Sequence, residues 1–239
     1  MSIEEFSKEL IEKAEEVNII ISAEQALKFY KYMELLLEWN EKINLTAITD
    51  EKEIIVKHFV DSLLVAKYIK SDATIIDIGT GAGFPGIPLK IINDSYKITL
   101  LDSLNKRTVF LQDVTQKLEL NNVQVIHGRA EDCAQNKEYR EMYDYAISRA
   151  VAPLNILLEY LVPYTKINGT VIAMKGNNVE EELKNACNAI ETLKVKTRER
   201  ITIELPDDCG ERNIVIFNKE EKTKKIYPRK AGTPKKNPL

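Results

Sequence analysis

The pattern of apolar and polar residues changes near residue 70. Before that point, Ser22 and Gln25 are placed to form a capping box, and apolar residues from Ala26 to Leu37 recur at helical spacing. A second helix is predicted to follow Asp50, and four of its residues fall on one stripe: Ile54, His58, Asp61 and Val65. Residues 1–70 are therefore predicted to form a small helical N-terminal cap.

Beyond residue 70 the apolar residues fall into short runs typical of strands. The runs are Thr74–Ile78, Ile98–Leu101, Val123–Ile126, Tyr145–Ile147, Thr170–Met174, Ile201–Ile203 and Asn213–Phe217. Helical stretches such as Ile87–Ile92 and Lys106–Leu118 separate the first five runs, which favours a parallel sheet with helices on both faces. The last two runs are separated by a short loop and suit an antiparallel hairpin at the sheet edge. Residues 71–221 are predicted to be one doubly wound, Rossmann-like α/β domain.

Composition narrows the classes of protein that remain. Hydrophobic residues make up 44% and charged residues 30% of the chain, as in ordinary globular proteins. The first residues are acidic rather than signal-like, and no apolar run approaches the length of about 18 residues that a membrane span needs. Cys133, Cys187 and Cys209 lie far apart, so we expect reduced thiols, a cytoplasmic protein, no membrane association and no metal site.

Charge is distributed unevenly along the chain. The net charge is −3, yet residues 222–239 contain seven basic side chains and no acidic ones. A basic C-terminal tail on an acidic body suits contact with a polyanion such as RNA, and such binding would weaken steeply with salt. A solvated, frayed terminus explains the same charges equally well.

The strongest local signal is the glycine-rich segment Ile75–Gly86, in which a buried strand runs into a turn before a helix. Gly81, Gly83 and Gly86 spell the dinucleotide-binding pattern G-x-G-x-x-G, whereas Gly79, Gly81 and Gly83 spell the G-x-G-x-G of methyltransferases. Both patterns bring backbone close to a ligand, and a purely structural turn is the third interpretation.

Asp77 favours a methyl donor over a dinucleotide. A carboxylate at the end of the strand would repel a pyrophosphate seated at the helix N-terminus. S-adenosylmethionine has no phosphate and carries an ammonium and a sulfonium, which a nearby acid stabilises. The charge argument therefore adds Asp77 to the predicted cofactor-binding residues.

Three further strand ends carry candidate ligand-binding residues. Asp102 follows the glycines by about 20 residues, a position from which a carboxylate accepts hydrogen bonds from ribose hydroxyls; alternatively it caps the helix that begins near Ser103. Glu131 and the backbone beside it could contact an adenine edge, or the acidic turn could simply be exposed. Arg149 ends the central strand, where nucleoside methyltransferases place the reacting base. The segment there lacks the D/N-P-P-Y/F motif of amino-group methyltransferases and the cysteine of C5-pyrimidine enzymes.

These segments resemble the RsmG (GidB) family of ribosomal RNA methyltransferases nearly end to end. The matching segments are Trp39-Asn40, Asn44–Ile48, His58, Asp61–Leu63, Asp77–Gly86, Leu101–Leu104, Lys106-Arg107, Arg129–Glu131, Ser148–Ala152, Lys175-Gly176 and Tyr227–Pro234. The resemblance implies a class I S-adenosylmethionine methyltransferase fold. It also implies methylation of guanine N7 in the 530 loop of 16S ribosomal RNA, at nucleotide 527 in standard ribosomal numbering. The expected partner is 16S ribosomal RNA, the 30S subunit or its precursor.

The resemblance also implies which residues line the cofactor site. They are Gly79, Phe84, Asp102, Ser103, Leu104, Ala130, Glu131 and Arg149. Arg149 would hold either the cofactor carboxylate or an RNA phosphate. His58 and Asp61 are interpreted as a pair that packs the helical cap onto the sheet.

The chemistry expected from this resemblance needs no general base, because guanine N7 has a free lone pair and no proton to lose. No catalytic residue is therefore predicted. Two alternatives remain open from the sequence: a nicotinamide-dependent oxidoreductase that uses the same glycine turn, and an RNA-binding module without turnover. A monomer is the default expectation.

Overall fold

All seven apolar runs become strands of a single sheet in the computed structural model, which describes residues 1–239. The strands are β1 (Thr74–Ile78), β2 (Lys97–Asp102), β3 (Val123–His127), β4 (Tyr143–Arg149), β5 (Thr165–Lys175), β6 (Val195–Glu204) and β7 (Glu211–Lys219). Their order across the sheet is β3-β2-β1-β4-β5-β7-β6. The predicted class of fold, a mostly parallel doubly wound sheet with an antiparallel edge, is confirmed.

Helices cover both faces of this sheet and form the N-terminal cap. They are α1 (Ile3–Glu15), α2 (Ala23–Asn40), α3 (Glu51–Ile54), α4 (Asp61–Leu63), α5 (Gly86–Ile92), α6 (Asn105–Lys117), α7 (Ala130–Cys133), α8 (Leu154–Leu161), α9 (Val179–Asn185), α10 (Cys187–Leu193) and α11 (Thr233–Lys236). Short 3-10 turns occupy Ala66–Tyr68 and Val162–Tyr164. None of the helices is both long and apolar enough to cross a bilayer.

The N-terminal helices begin where their caps predict. The Ser22 hydroxyl accepts from the backbone N–H of Gln25 and the Gln25 side chain accepts from Ser22 N–H, which completes the capping box. Asp50 caps α3 through the N–H of Glu53 at 3.0 Å. The stripe that follows is not one regular α-helix, because a π-helical turn, Ile55–Val60, separates α3 from α4. This irregular turn lies beside Arg149, at the carboxyl end of β4.

The order of the strands defines where a ligand can bind. β1 pairs in parallel with β2 on one side and with β4 on the other, so the connections leave β1 in opposite directions along the sheet. Open α/β sheets bind ligands at such a switch point, outside the carboxyl ends of the strands. The glycine turn after β1 and Arg149 at the end of β4 both lie there.

An aromatic cluster attaches the helical cap to the glycine turn. The Phe59 ring packs against Phe29 (centroids 5.0 Å apart), Tyr32 (5.4 Å) and Phe84 (6.1 Å). The Tyr32 hydroxyl donates to the carbonyl of Ala82 inside the turn. Burial of this apolar surface therefore also fixes the position of the turn.

We expect Phe59→Ala to lower the free energy of unfolding by about 3–5 kcal/mol, because Phe59 is fully buried and its removal leaves a cavity in this cluster. Urea denaturation would measure the change. Ile20→Ala is the matched control, since Ile20 is 91% exposed and its truncation should change stability by less than about 0.5 kcal/mol. Equal changes in the free energy of unfolding for the two variants would contradict the conclusion that this cluster attaches the helical cap to the glycine turn.

Candidate active site

A cavity of about 370 Å³ opens at the carboxyl ends of β1, β2 and β3. Its wall includes residues from both sides of the switch point, among them Ile78, Val151 and Tyr160. The cavity brings together six of the residues predicted from sequence, namely Gly79, Asp102, Ser103, Leu104, Ala130 and Glu131. Gly81, Gly83, Asp77, Phe84 and Arg149 lie outside its wall.

The turn after β1 requires glycine at its first position. Gly79 has φ +68°, and a Cβ built there would lie 2.6 Å from Val151 Cγ2. Only a residue without a side chain allows the segment after β4 to pack this closely. Gly79 N–H also donates to the Leu101 carbonyl at 2.8 Å, so the turn is tied to the end of β2.

Asp102 joins the two loops that border the cavity. One carboxylate oxygen accepts from Gly81 N–H at 2.9 Å, and the other accepts from Leu104 N–H at 2.9 Å. Helix α6 begins only at Asn105, with Leu104 as its N-cap, so Asp102 orders the loop rather than capping the helix itself. Each carboxylate oxygen can accept more than one hydrogen bond, and Asp102 therefore retains acceptor capacity toward the cavity.

The cavity wall also includes a second carboxylate and an exposed apolar side chain. Glu131 lies at the start of α7 and is 8% exposed. Leu104 is 52% exposed although it is a large apolar residue. A wall that combines two carboxylates, an exposed apolar side chain and a glycine turn suits an adenosine group, which has a flat ring, a ribose diol and an exocyclic amine. The residues present therefore fit the predicted donor.

Asp77 is not part of this wall. Its side chain is fully buried, and one carboxylate oxygen accepts from the Thr80 hydroxyl at 2.7 Å and from Gly86 N–H at 2.9 Å. Successive side chains of a strand point to opposite faces, so Ile78 faces the cavity while Asp77 faces α5. Burial raises the pKa of Asp77 to about 7, against the opposing effect of the two hydrogen bonds. In this structure Asp77 links the turn to α5.

Arg149 and Phe84 belong to a neighbouring cluster. The guanidinium carbon of Arg149 lies 4.9 Å from the Phe84 ring centroid. The His58 ring also stacks on Phe84, with the two ring centroids 4.6 Å apart. Arg149 donates to Asp61 at 2.9 Å and to the carbonyls of Lys57 and His58 at 3.3 Å. Those carbonyls belong to the π-helical turn. The interpretation that His58 and Asp61 pack the cap onto the sheet agrees with these contacts.

A second cavity, of about 220 Å³, lies beside this cluster. Arg149, Asp61 and Arg212 line it, and Arg212 Nε lies 3.2 Å from Asp61 Oδ1. Ala150 lines this cavity while Val151 lines the larger one, so the segment after β4 separates the two. Sequence reasoning did not identify Arg212, because nothing near it on the hairpin strand indicates a partner 151 residues away.

Burial leaves His58 uncharged. Desolvation, with the Arg149 charge beside it, lowers the pKa of His58 to about 3. Its Nε2 lies 2.8 Å from the Thr46 hydroxyl. A histidine with this pKa remains neutral at physiological pH and is a weak base.

The geometry matches a known class of fold. A SAM-dependent methyltransferase from Aquifex aeolicus superposes with a TM-score of 0.54 and 17% identity, over 76% of this chain and 97% of that one. Aeropyrum pernix fibrillarin, solved with natively bound S-adenosyl-L-methionine, gives a TM-score of 0.51 and 13% identity, over 62% of this chain and 67% of that one. The fold is therefore that of the S-adenosylmethionine-dependent methyltransferases.

Sequence comparison identifies the family. The family model for rRNA small subunit methyltransferase G (GidB) matches residues 25–213. A "Ribosomal RNA small subunit methyltransferase G" from Alkaliphilus metalliredigens is 49% identical over 94% of this chain and 95% of its own length. One of the same name from Clostridium botulinum strain Eklund 17B is 51% identical over 95% of each chain. The chain belongs to the rRNA small subunit methyltransferase G family.

We expect Asp102→Ala to weaken binding of S-adenosylhomocysteine by about 10- to 100-fold, because a charge-assisted interaction contributes about 1.5–3 kcal/mol. Isothermal titration calorimetry would measure it. Asp132→Ala is the control, since Asp132 is an exposed acid on α7 that does not line the cavity. The unaltered chain should not bind NADH; binding of NADH in place of S-adenosylhomocysteine would favour the oxidoreductase alternative.

The raised pKa of Asp77 predicts a pH-dependent stability. The folded protein retains this proton up to about pH 7, whereas the ordinary carboxyl pKa is 3.8, so the folded state binds more protons between these values. The free energy of unfolding should therefore fall as pH rises through this window, by at most about 1.4 kcal/mol per unit. Asp77→Asn should lack this component of the slope in urea titrations at several pH values, and Asp132→Asn should retain it. Parallel slopes for the wild type and Asp77→Asn would show that Asp77 is already ionised in the folded state.

Proposed function

We propose that this protein transfers a methyl group from S-adenosylmethionine to N7 of the guanine at nucleotide 527, in the 530 loop of 16S ribosomal RNA. Membership of the rRNA small subunit methyltransferase G family carries this proposal. The cavity at the switch point supports it, because the chain offers a glycine turn, two carboxylates and an apolar surface there. The absence of paired cysteines supports a reduced, cytoplasmic environment.

The larger cavity would hold the donor. Asp102 would accept from the ribose hydroxyls, Glu131 and the backbone at Ala130 would contact adenine, and the turn at Gly79 would lie against the amino-acid portion. When bound, S-adenosylmethionine supplies an electrophilic methyl group on a positively charged sulfur. Leu104 would pack against the adenine ring and exclude water from that face.

The chain would contribute the positioning of the two reactants rather than proton transfer. Guanine N7 presents a lone pair and has no proton to remove, so the attack needs no base. Two ionisable groups near the turn agree with this chemistry: His58 is held neutral, and Asp77 is buried away from the cavity. Catalysis would rest on holding N7 in line with the methyl group, an effect that reaches about 7–11 kcal/mol in favourable systems.

The smaller cavity is the proposed site of the RNA backbone beside the target guanine, whose base would have to reach past Ala150 and Val151 to the methyl group of the donor. Two guanidinium groups, Arg149 and Arg212, share the single carboxylate of Asp61, which leaves an excess of positive charge beside the cavity. Such a site favours the phosphates that flank an extruded base. Guanine N7 lies in the narrow major groove of A-form RNA, so the base must be unpaired or flipped before it enters. We therefore assign Arg149 to RNA rather than to the donor carboxylate.

The C-terminal tail would add phosphate contacts. Its exposed basic residues are Lys222, Lys224, Lys225, Lys230, Lys235 and Lys236. Arg229 is not among them, because its guanidinium is paired with the buried Glu159. RNA binding through exposed lysines should weaken as salt rises. The protein is proposed to act as a monomer.

Purified protein incubated with unmodified small subunits and methyl-labelled S-adenosylmethionine should place the label on N7 of this one guanine. Reverse-transcription mapping after reductive cleavage at N7-methylguanosine would locate it, and naked 16S RNA and assembly precursors should be tested alongside. Label on another atom or nucleotide, or no transfer to any of these substrates, would refute the proposal.

The same assay tests the smaller cavity. Arg212→Gln should lower kcat/KM for RNA by about tenfold or more, the effect of losing one charge-assisted contact, while S-adenosylhomocysteine binds as in the wild type. Arg198→Gln, which removes the same charge from an exposed position on β6, serves as the control. Equal losses for the two variants would indicate a general electrostatic effect and not a site.

A further inference from the structure

The basic C-terminal segment folds back onto the α/β domain. Arg140 donates to three carbonyls of the segment, those of Thr223, Lys224 and Tyr227, at 2.9–3.1 Å. Gln135 donates to the carbonyl of Pro228 at 2.9 Å. One side chain that satisfies several backbone carbonyls fixes the path of the segment toward the carboxyl edge of the sheet.

A buried ion pair anchors the next part of the segment. Glu159 on α8 has no exposed surface, and Arg229 contacts both of its carboxylate oxygens, with Nη2 at 2.6 Å and Nε at 2.9 Å. The backbone N–H of Arg229 donates to the same carboxylate at 2.7 Å. A paired, fully hydrogen-bonded guanidinium in this geometry holds the backbone as well as the side chain.

Beyond this anchor the chain reaches the donor cavity. The N–H of Gly232 donates to a carboxylate oxygen of Glu131 at 2.9 Å, and Gly232 and Lys235 line the cavity. Gly232 has φ +83°, a conformation that suits glycine and that turns its N–H toward Glu131. Pro234, two residues further on, is buried. The tail therefore supplies part of the wall next to Glu131 and Ala130.

We propose that residues 231–236 form the outer wall of the donor site and position Glu131 to accept a hydrogen bond from the exocyclic amine of adenine. The inference rests on the assignment of the larger cavity to the adenosyl donor. One oxygen of Glu131 is fixed by Gly232, so the orientation of the other oxygen depends on the tail. The donor and the docked tail therefore stabilise each other, because each completes the other's contacts with Glu131. The Arg229–Glu159 pair acts as a positioning element and does not touch the donor.

A truncation that removes the wall but keeps the Arg229–Glu159 pair tests this proposal. A chain that ends at Lys230 retains the Arg229–Glu159 pair but lacks Gly232, Pro234, Lys235 and Lys236. It should bind S-adenosylhomocysteine about tenfold more weakly, the effect of losing one hydrogen bond to a charged group. In turnover the KM for S-adenosylmethionine should rise by a similar factor while kcat changes by less than about twofold.

Lys224→Ala combined with Lys225→Ala is the matched control for calorimetry. It removes two positive charges, as the truncation does, from exposed positions that do not line the cavity. Its affinity for S-adenosylhomocysteine should equal that of the full chain. Equal affinities for the full chain and the truncated chain would overturn the wall inference while leaving the donor site intact. Failure of the full chain itself to bind S-adenosylhomocysteine would instead overturn the proposed function and, with it, this inference.

Limited trypsin digestion tests the inference in the full-length protein, independently of whether the truncated chain folds. S-adenosylhomocysteine should slow cleavage after Lys230, Lys235 and Lys236 by about tenfold, in line with the coupling expected above. Cleavage after Lys224 and Lys225 should not change. Protection at neither group of sites, or equal protection at both, would show that the donor does not bind against residues 231–236.

Discussion

Two buried carboxylates hold the turn between β1 and α5, and that turn forms part of the wall of the larger cavity. Asp102 accepts a hydrogen bond from Gly81 N–H within the turn, and Asp77 accepts from the Thr80 hydroxyl and from Gly86 N–H at the start of α5. Charged groups are buried only when hydrogen bonds compensate their lost hydration, and backbone N–H donors provide this at a turn. The high pKa of Asp77 indicates that its compensation is incomplete, and one of its oxygens has no partner in the protein.

The short segment after β4 divides the site by charge. On one side, Asp102 and Glu131 line the larger cavity, where they would face a donor that is positively charged at sulfur and nitrogen. On the other side, Arg149 and Arg212 line the smaller cavity, where they would face a polyanionic substrate. The close approach of Val151 to Gly79 keeps the two regions adjacent. In the proposed reaction each reactant would lie in surroundings of opposite charge.

The N-terminal helices and the C-terminal tail approach this site from opposite ends of the chain. The helices contribute Asp61 and the carbonyls of the π-helical turn to Arg149. The tail contributes Gly232 to Glu131. Each of these segments is attached through a carboxylate that is buried or nearly buried: Asp61 for the N-terminal helices and Glu159 for the tail. These additions complete the two cavities at positions that the sheet leaves open.

The strands and helix starts could be predicted because they depend on local patterns. Apolar alternation and short runs located all seven strands, and the Ser22 capping signal located the start of α2. The π-helical turn at Ile55–Val60 could not be predicted, because the residue spacing there also fits an α-helix. The glycine turn and the carboxylates that follow β2 and β3 indicated an adenosyl site, since parallel strands bring their carboxyl ends to one edge of the sheet.

The sequence by itself determined the class of fold, the family resemblance and the chemistry expected at the carboxyl edge of the sheet. Tertiary structure decided which face Asp77 occupies, which acid pairs with Arg149 and where the basic tail lies. The reason is the range of the interactions. Strand and cap signals arise among residues a few positions apart, whereas Gly232 and Glu131 are 101 residues apart and Arg229 and Glu159 are 70 apart. Contacts over such distances depend on how the layers pack, which no local pattern encodes.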